Sequence, residues 1–110
     1  MIEYPDFAKV DMRVGTVIDA KPFPEARKPA YRLWIDFGPS IGIKKTSAQI
    51  TDHYQLEELM NRQVIAVVNF PPKQIGKFMS EVLVLGALNE DQSVILLQPE
   101  TSLKNGSKIS

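Results

Sequence analysis

Two short runs of this chain contain residue types and spacings that suit recognition of another molecule. In the first, "IKKTSAQ", strand alternation places Lys45, Ser47 and Gln49 on one face and Lys44 on the other. An ammonium, a hydroxyl and an amide at two-residue spacing suit contacts to phosphates and base edges across a shallow groove. Taken alone, however, this run is better explained as a solvated strand face.

The second run, "NFPPKQIGKFMSE", lies between the apolar runs "QVIAVV" and "VLVLGAL" and is predicted as a loop anchored by two core strands. Its two prolines remove backbone donors, so the preceding strand cannot continue through them. Charge and amide groups follow, and then a flat apolar surface that suits a base or an apolar side chain. The candidate binding residues here are Lys73, Gln74, Lys77, Phe78 and Met79. Phe78 is equally consistent with burial beneath the loop.

Patterns typical of catalysis or metal binding are missing from the sequence. His53 is the only histidine, and no serine–histidine–aspartate or zinc-ligand spacing surrounds it. We interpret it as a surface or capping residue. The carboxylate pairs Glu57–Glu58 and Glu90–Asp91 are adjacent in sequence, so their side chains diverge and do not suit paired acid–base work. We expect no enzyme activity, no metal site and no cofactor.

The charge balance limits the ligands that are expected. The chain has 110 residues, with 13 Lys and Arg against 13 Asp and Glu, so its net charge is zero with the histidine neutral. Affinity for nucleic acids comes largely from neutralising phosphates, so zero net charge argues against strong, indiscriminate nucleic-acid binding. It leaves room for a local basic face, which Lys44, Lys45, Lys73 and Lys77 would supply.

The sequence also argues against secretion and membrane insertion. No apolar run approaches the roughly 20 residues needed to span a bilayer. The opening residues "MIEYPDFAKVDMR" lack the basic and apolar regions of a secretory signal. We expect a soluble, cytoplasmic protein of one domain.

The elements that must position the candidate residues are predicted to be short strands. Alternating or apolar runs predict strands at "RVGTVIDAK", "YRLWIDF", "IGIKKTSAQI", "QVIAVVNF", "EVLVLGAL" and "SVILLQP". Gly15 in the first strand suggests a bulge or a bend. The segment "TDHYQLEELMNR" is the predicted helix, with Thr51 or Asp52 as its cap. Five or six strands, with a helix between the third and fourth, predict an all-β fold: a small closed OB-fold barrel with short terminal extensions. An SH3-like barrel and an open α+β sheet stay open as alternatives.

Several sequence blocks occur in one order and are more specific together than any one alone. "DMRVG" matches an opening acidic-Leu-Arg-Val-Gly strand, and "YQLEEL" matches a Tyr-x-x-Glu-Glu-Leu helix. Val64–Asn69 matches a Val-rich strand that ends in asparagine, and Ser80–Glu81 matches a following Ser-Glu turn. On these blocks the chain resembles the structure-specific tRNA-binding OB-domain family. The resemblance implies such a domain over residues 8–110 and an N-terminal extension over residues 1–7.

Four departures from the broad family pattern resemble its CsaA-type subgroup of export-related chaperones. They are "FPEARKPA", "SAQI", "NFPP" and "SEVLVLG", the last lacking the Gly-Met that usually follows Ser-Glu. The resemblance implies a homodimer that binds unfolded preproteins or peptides and assists protein export. Structure-specific tRNA binding is the alternative, and the missing Gly-Met and the neutral charge argue against it. A dimeric scaffold for another folded protein is a third hypothesis.

The resemblance also implies which residues form the sites. The binding face it implies consists of the third strand, Asn69 and the following loop, with Lys44, Lys45, Ser47, Gln49, Ser80 and Glu81. Dimer contacts are expected from the terminal segment, where Ile2, Tyr4 and Phe7 need burial on a partner or on the chain's own barrel. Trp34 alternates against Leu33 and Ile35, so it faces solvent, a peptide or a dimer partner.

Overall fold

The alternating runs of the sequence form short strands around an apolar interior. The computed structural model describes all 110 residues. Its helices are α1 (Tyr4–Ala8) and α2 (Leu56–Leu59). Its strands are β1 (Met12–Pro22), β2 (Tyr31–Asp36), β3 (Ile43–Ala48), β4 (Gln63–Val67), β5 (Lys73–Ile75), β6 (Phe78–Ser80), β7 (Leu83–Val84), β8 (Gly86–Leu88) and β9 (Val94–Leu96).

Five strands form one antiparallel sheet in the order β3–β2–β1–β4–β7. β1 is long enough to serve two neighbours: its first half pairs with β4 and its second half with β2, and the ladders overlap at Thr16. The register with β2 shifts between Val17 and Asp19, a bulge that increases the local bend of the strand. The sheet therefore curls back on itself around the side chains of its concave face.

Gly15 is not the site of the bulge, contrary to the expectation from its position in the strand. It pairs regularly with Val64 on β4. Glycine is needed there because a Cβ atom would lie 2.6 Å from Ile35 Cγ2 and 2.7 Å from Phe37 Cδ1. The residue lets the barrel interior pack against the backbone of β1.

One backbone hydrogen bond and several side-chain hydrogen bonds, and not a continuous strand ladder, join the two ends of the curled sheet. The backbone N–H of Glu81 donates to the Lys45 carbonyl at 2.8 Å. The Lys45 N–H donates to Glu81 Oε1 at 3.0 Å, and Thr46 Oγ1 donates to the Val82 carbonyl at 2.7 Å. The result is a nearly closed five-stranded barrel, which confirms the predicted all-β, OB-like fold.

The barrel interior is apolar, and a smaller apolar cluster lies outside it. The interior cluster consists of Val17, Leu33, Ile35, Phe37, Ala48, Ile50, Tyr54, Leu59, Val64, Ala66, Val82 and Leu96. The outer cluster joins Phe23, Ala30 and Phe78 where the β5–β6 hairpin covers the convex face of the sheet. Burial of apolar area in these two places is the main favourable contribution to folding.

The helix between β3 and β4 is shorter than predicted. Neither Thr51 nor Asp52 caps it; Gln55 is the N-cap residue, and its backbone N–H donates to Glu58 Oε1 at 2.8 Å in a capping box. Leu59 is the helix residue that is fully buried. The helix thus contributes one anchoring side chain to the end of the barrel.

Two regions of the second half differ from the predicted strands. The run predicted as one fifth strand divides into β7 and β8, and β8 pairs with β9 as a separate hairpin. The run predicted as a loop contains the hairpin β5–β6, which turns at Gly76 with a φ of +60°. Glycine adopts this left-handed conformation without the steric penalty that a Cβ imposes.

The terminal segments lie against β1 or on the surface. The Val14 N–H donates to the Ser107 carbonyl at 2.9 Å, and the Gly106 N–H donates to the Val14 carbonyl at 2.7 Å. The tail therefore pairs with β1 over a short extended segment. α1 buries none of its residues. Neither helix has the length and apolar character required to cross a bilayer.

Candidate binding groove

A groove of about 520 Å³ opens where β3 and β7 diverge, and we call it the β3–β7 groove. Its walls are the end of β3, the start of the segment after β4, the β5–β6 hairpin and β7. The lining residues are Ser47, Ala48, Gln49, Ile50, Phe70, Pro71, Lys73, Ile75, Ser80, Glu81, Val82, Leu83, Val84 and Val94. The lining is mostly apolar, with a few polar groups at the rim, as in ordinary ligand sites.

Five residues predicted from the sequence line this groove: Ser47, Gln49, Lys73, Ser80 and Glu81. Ser80 and Glu81 have their side chains engaged in the wall. Ser80 Oγ accepts the Ser47 N–H at 3.0 Å, and Glu81 Oε1 accepts the Lys45 N–H. The side chains of Gln49 and Lys73 make no hydrogen bond to the chain, and both residues are exposed. These two are the polar side chains free to meet a ligand.

Asn69 and Gln74 are placed beside the groove, with their side chains engaged in local structure. Asn69 Nδ2 donates to the Lys9 carbonyl at 2.7 Å, and Asn69 Oδ1 accepts the Asp11 N–H at 3.0 Å. Asn69 thereby ties the end of β4 to the segment that enters β1. Gln74 Nε2 donates to the Gly76 carbonyl at 3.0 Å and shapes the hairpin turn. A direct binding role for either residue stays a prediction.

The convex face next to the groove contains aromatic rings covered by cations. Phe78 packs against Phe23 with tilted rings whose centroids are 5.3 Å apart, and it meets Trp34 edge-on at 6.1 Å. Lys45 Nζ lies 5.2 Å from the centroid of Phe78, and Lys21 Nζ lies 5.3 Å from that of Trp34. These residues form what we call the basic–aromatic face.

Phe78 is only 9% exposed, so the structure favours burial over the stacking alternative for this residue. Trp34 is half-buried beneath the hairpin and so is less free than strand alternation suggested. Met79 points away from the cluster and is 37% exposed. Lys77 is exposed at the hairpin turn.

The two adjacent lysines of β3 face opposite sides of the sheet. Thr46 and Ala48 are buried in the barrel, and Lys44 shares their side of the strand. Lys45 lies on the convex side, over Phe78. The structure therefore does not bring Lys44 and Lys45 together, although both remain predicted binding residues.

Sequence reasoning missed both apolar and basic members of this region. Phe70 is 53% exposed and Leu83 is 50% exposed at the groove, although both sit in runs that suggested core strand. Arg32 lies opposite Lys21 in the β1–β2 register, with its guanidinium 5.8 Å from the Trp34 centroid. The register that pairs these two cations follows from the fold and from the bulge in β1, and no local motif signals it.

His53 belongs to a polar cluster at the far end of the β8–β9 hairpin. Ser93 is buried, and its hydroxyl donates to Asp91 Oδ1 at 2.6 Å. His53 Nε2 lies 2.7 Å from Ser93 Oγ and must donate, because the only hydroxyl hydrogen is already used. The carboxylate contacts the serine and not the histidine, so the order of a nucleophilic triad is not reproduced.

The same cluster perturbs one carboxyl group. The hydrogen bond from the Ser93 side chain, followed by that from the Ser93 N–H, lowers the pKa of Asp91 below its ordinary value of 3.8.

Nowhere in the chain do three or more His, Cys, Asp or Glu side chains converge as metal ligands would.

The predicted dimer contacts at the N-terminus are exposed on the isolated chain. Ile2 is 74% exposed and Tyr4 is 75% exposed, while Phe7 is half-buried with its ring 6.2 Å from that of Tyr4. Trp34 lies on the basic–aromatic face. A dimer contact by these residues stays a prediction.

Known proteins are similar to this chain over nearly its whole length. The model of the tRNA binding domain family matches residues 12–108. Methionine–tRNA ligases of Bacteroides fragilis and Pyrococcus abyssi are each 35% identical over 108 residues, or 98% of this chain. The chain spans only 16% and 14% of their respective lengths.

Solved structures give a more specific likeness. The chaperone CsaA of Bacillus anthracis str. Ames is 55% identical with a TM-score of 0.94, covering 100% of this chain and 99% of that one. The CsaA chaperone protein of Picrophilus torridus is also 55% identical with a TM-score of 0.94, and both chains are fully covered. A MetRS related protein of Pyrococcus horikoshii is 27% identical with a TM-score of 0.88, covering 100% of this chain and 98% of that one. The chain therefore belongs to the tRNA binding domain family and is of the CsaA type within it.

Proposed function

We propose that this protein is a non-catalytic, homodimeric, cytoplasmic chaperone that binds unfolded preproteins or peptides in the β3–β7 groove and assists their export. The observation that carries the proposal is the groove itself. Phe70 and Leu83 expose about half of their surface beside an apolar floor of Ile50, Val82 and Val84. Contiguous exposed apolar surface of this kind usually marks an interaction site.

The rest of the groove supports a ligand that varies in sequence. An unfolded segment presents apolar side chains without a fixed shape, so a broad apolar floor suits it better than a narrow pocket with many oriented polar groups. Lys73 is the free charge at the rim, because the Glu81 carboxylate is hydrogen-bonded to β3. The likeness to the CsaA chaperones of Bacillus anthracis and Picrophilus torridus supports the same function.

The exposed apolar residues away from the groove support the homodimer. They lie at the N-terminus, with Ile2 and Tyr4, and on the β8–β9 hairpin and the residue that follows it. On the hairpin side, the exposed residues are Leu88, Ile95 and Leu97. None of these exposed residues lines the groove itself, although Val94 of the same hairpin does.

The test is binding of a labelled protein that is kept unfolded by reduction and carboxymethylation. We expect a Phe70→Ser, Leu83→Ser variant to bind it at least about tenfold more weakly, because two exposed apolar contacts are removed. Leu103→Ser is the matched control, since Leu103 is exposed to a similar degree and lies outside the groove. Equal affinity of the double variant, the control and the original chain would contradict the proposal.

Structure-specific tRNA binding is the second candidate, and the basic–aromatic face favours it. Lys21, Arg32 and Lys45 gather there on a chain with no net charge. A variant with alanine at these three positions should lose tRNA affinity and lower the salt dependence by about one unit per lost phosphate contact. Alanine at Lys73 and Lys77, by contrast, should weaken binding of the unfolded protein in the β3–β7 groove. Unchanged tRNA affinity in the triple variant would remove this face as an RNA site.

A further inference from the structure

The backbone at the end of β3 has hydrogen-bonding groups that the chain itself does not satisfy. On the side of β3 that faces away from β2, the N–H groups of Lys45 and Ser47 donate to Glu81 Oε1 and Ser80 Oγ, each at 3.0 Å. Gln49 is the next residue on this side of the strand. Its N–H and carbonyl make no hydrogen bond within the chain. The edge of β3 is therefore closed by side chains up to Ser47 and open at Gln49, in the wall of the β3–β7 groove.

The opposite wall of the groove has a second open backbone position. The Leu85 N–H donates to the Ile65 carbonyl at 2.8 Å, and Leu83 pairs with Val67, so Leu83 and the Leu85 N–H face β4. The Leu85 carbonyl accepts the Leu97 N–H at 3.2 Å. In an antiparallel ladder the intervening residue directs its groups to the other side. Val84 therefore presents its N–H and carbonyl toward β3, and no backbone hydrogen bond crosses from it to that strand.

Two open strand edges that face each other across an apolar floor select one kind of ligand. An extended polypeptide backbone has the alternating donors and acceptors that match both edges, and a nucleic acid has no such series. The charge of the groove lining also favours a polypeptide ligand. Lys73 is the unengaged charged residue of the lining, and this favours a segment with an acidic side chain near its apolar residues. Exposed edges of this kind are normally covered or blocked in stable proteins.

We propose that an extended apolar segment binds as an added strand in the β3–β7 groove, pairing with the backbone of Gln49 on one side and of Val84 on the other. This rests on the proposed chaperone function and specifies how the ligand is held. Main-chain hydrogen bonds supply affinity that does not depend on the sequence of the segment. The side chains of alternate residues enter the apolar floor, and the others face solvent.

The experiment uses a labelled peptide of about six residues, the usual length of a strand. The peptide alternates valine with threonine and carries one glutamate. Two further versions carry N-methyl groups on every second residue. One version is methylated at the odd-numbered residues and the other at the even-numbered residues, so each lacks the N–H donors along one edge of the peptide. A control version replaces a valine with isoleucine, which adds a methyl group and keeps every N–H. Binding to the intact protein is measured by fluorescence anisotropy.

We expect both N-methylated peptides to bind about tenfold more weakly than the parent peptide, because each loses donors that face one wall. The isoleucine control should bind within about twofold of the parent. On the protein side, Gln49→Ala removes the side chain alone, whereas Gln49→Pro removes the backbone donor as well. Gln49→Pro should therefore weaken binding of the parent peptide more than Gln49→Ala does, and equal affinities of the two variants would contradict pairing at this residue. Thermal unfolding of both variants establishes that they are folded.

The outcomes separate this inference from the function on which it rests. If the parent and both N-methylated peptides bind equally well, strand addition is wrong and the chaperone function stands. If one methylated set alone loses affinity, pairing on both walls is wrong. If neither the parent peptide nor a carboxymethylated unfolded protein binds, the proposed function itself is contradicted.

Discussion

The Ser80 hydroxyl accepts a hydrogen bond from the backbone N–H of Ser47 at 3.0 Å. It also lies 3.0 Å from Thr46 Oγ1, whose hydrogen is given to the Val82 carbonyl at 2.7 Å, so Ser80 is the donor to Thr46. One side chain thereby satisfies the edge of β3 and fixes one wall of the β3–β7 groove. The stability of the barrel and the shape of the groove depend on the same group.

We predict that Ser80→Ala lowers the free energy of unfolding by about 1–2 kcal/mol, because it leaves the Ser47 N–H without its partner in a partly buried site. Urea denaturation followed by circular dichroism measures this. Ser40→Ala is the control, since Ser40 lies in the β2–β3 turn and its hydroxyl makes no hydrogen bond to the chain; its effect should stay within about 0.5 kcal/mol. Equal stability of both variants would mean that Ser80 does not close the barrel.

Removal of the Phe78 ring should loosen the β5–β6 hairpin. We expect Phe78→Ala to lower the free energy of unfolding by about 3 kcal/mol, as for other large-to-small changes in apolar clusters. Trp34 fluorescence should shift to the red, because its indole loses the ring that covers it at 6.1 Å. Met79→Ala changes an exposed neighbour on the same strand. It should change neither the free energy of unfolding nor the emission maximum of Trp34. An unshifted emission maximum in Phe78→Ala would place Trp34 outside this cluster.

The β8–β9 hairpin should lose stability in acid through Asp91. Its pKa is lowered in the folded state by the hydrogen bonds from Ser93, so the carboxylate stabilises the fold at a pH above its ordinary value of 3.8. This contribution is lost as the pH falls below 3.8 and through the lower folded-state pKa.

The variant Asp91→Asn tests this linkage. It should melt at a lower temperature than the original chain at pH ~7, and the difference should shrink toward pH ~3, where the original carboxylate is protonated. Glu90→Gln, an adjacent exposed carboxylate with no hydrogen bond to the chain, should melt like the original at both pH values. A melting difference that is independent of pH would show that the effect of Asp91 is not electrostatic.

The N-terminal segment should contribute to the proposed dimer. A chain that starts at Ala8 lacks Ile2, Tyr4 and Phe7, and we expect it to sediment as a monomer at concentrations where the full chain is a dimer. Its fold should persist, because α1 buries no residue. Leu103→Ser removes an apolar side chain elsewhere on the surface and should leave the dimer intact. A truncated chain that remains dimeric would place the interface elsewhere, with the β8–β9 hairpin as the next candidate.

The barrel was predictable because its strands alternate cleanly. In "YRLWIDF", Leu33 and Ile35 are buried in the barrel, and Trp34 lies on the other face, as two-residue periodicity requires. The β5–β6 hairpin was not predictable in the same way, because strands of three residues do not establish a period. Nothing in "IGK" indicates more than a turn, and pairing of the two strands depends on the convex face beneath them.

The groove was predictable only in part. Alternation placed Ser47 and Gln49 on one face, but it could not show that Ser80 and Glu81 would satisfy the β3 edge up to Ser47 and leave Gln49 open. Likewise Phe78 was equally consistent with two environments, since periodicity assigns a face and does not say what covers it. These features depend on contacts between residues more than 30 positions apart, for which the sequence has no local signal.

The most direct test of the central claim is a salt titration of binding to two ligands, a labelled tRNA and a labelled carboxymethylated unfolded protein, each also used as competitor of the other. The claim is that the groove holds apolar polypeptide. We predict that affinity for the unfolded protein changes less than about threefold between about 50 and about 200 mM salt, and that tRNA binds weakly and does not displace it. Tight tRNA binding that falls steeply with salt, together with no binding of the unfolded protein, would contradict the claim and identify the chain as an RNA binder.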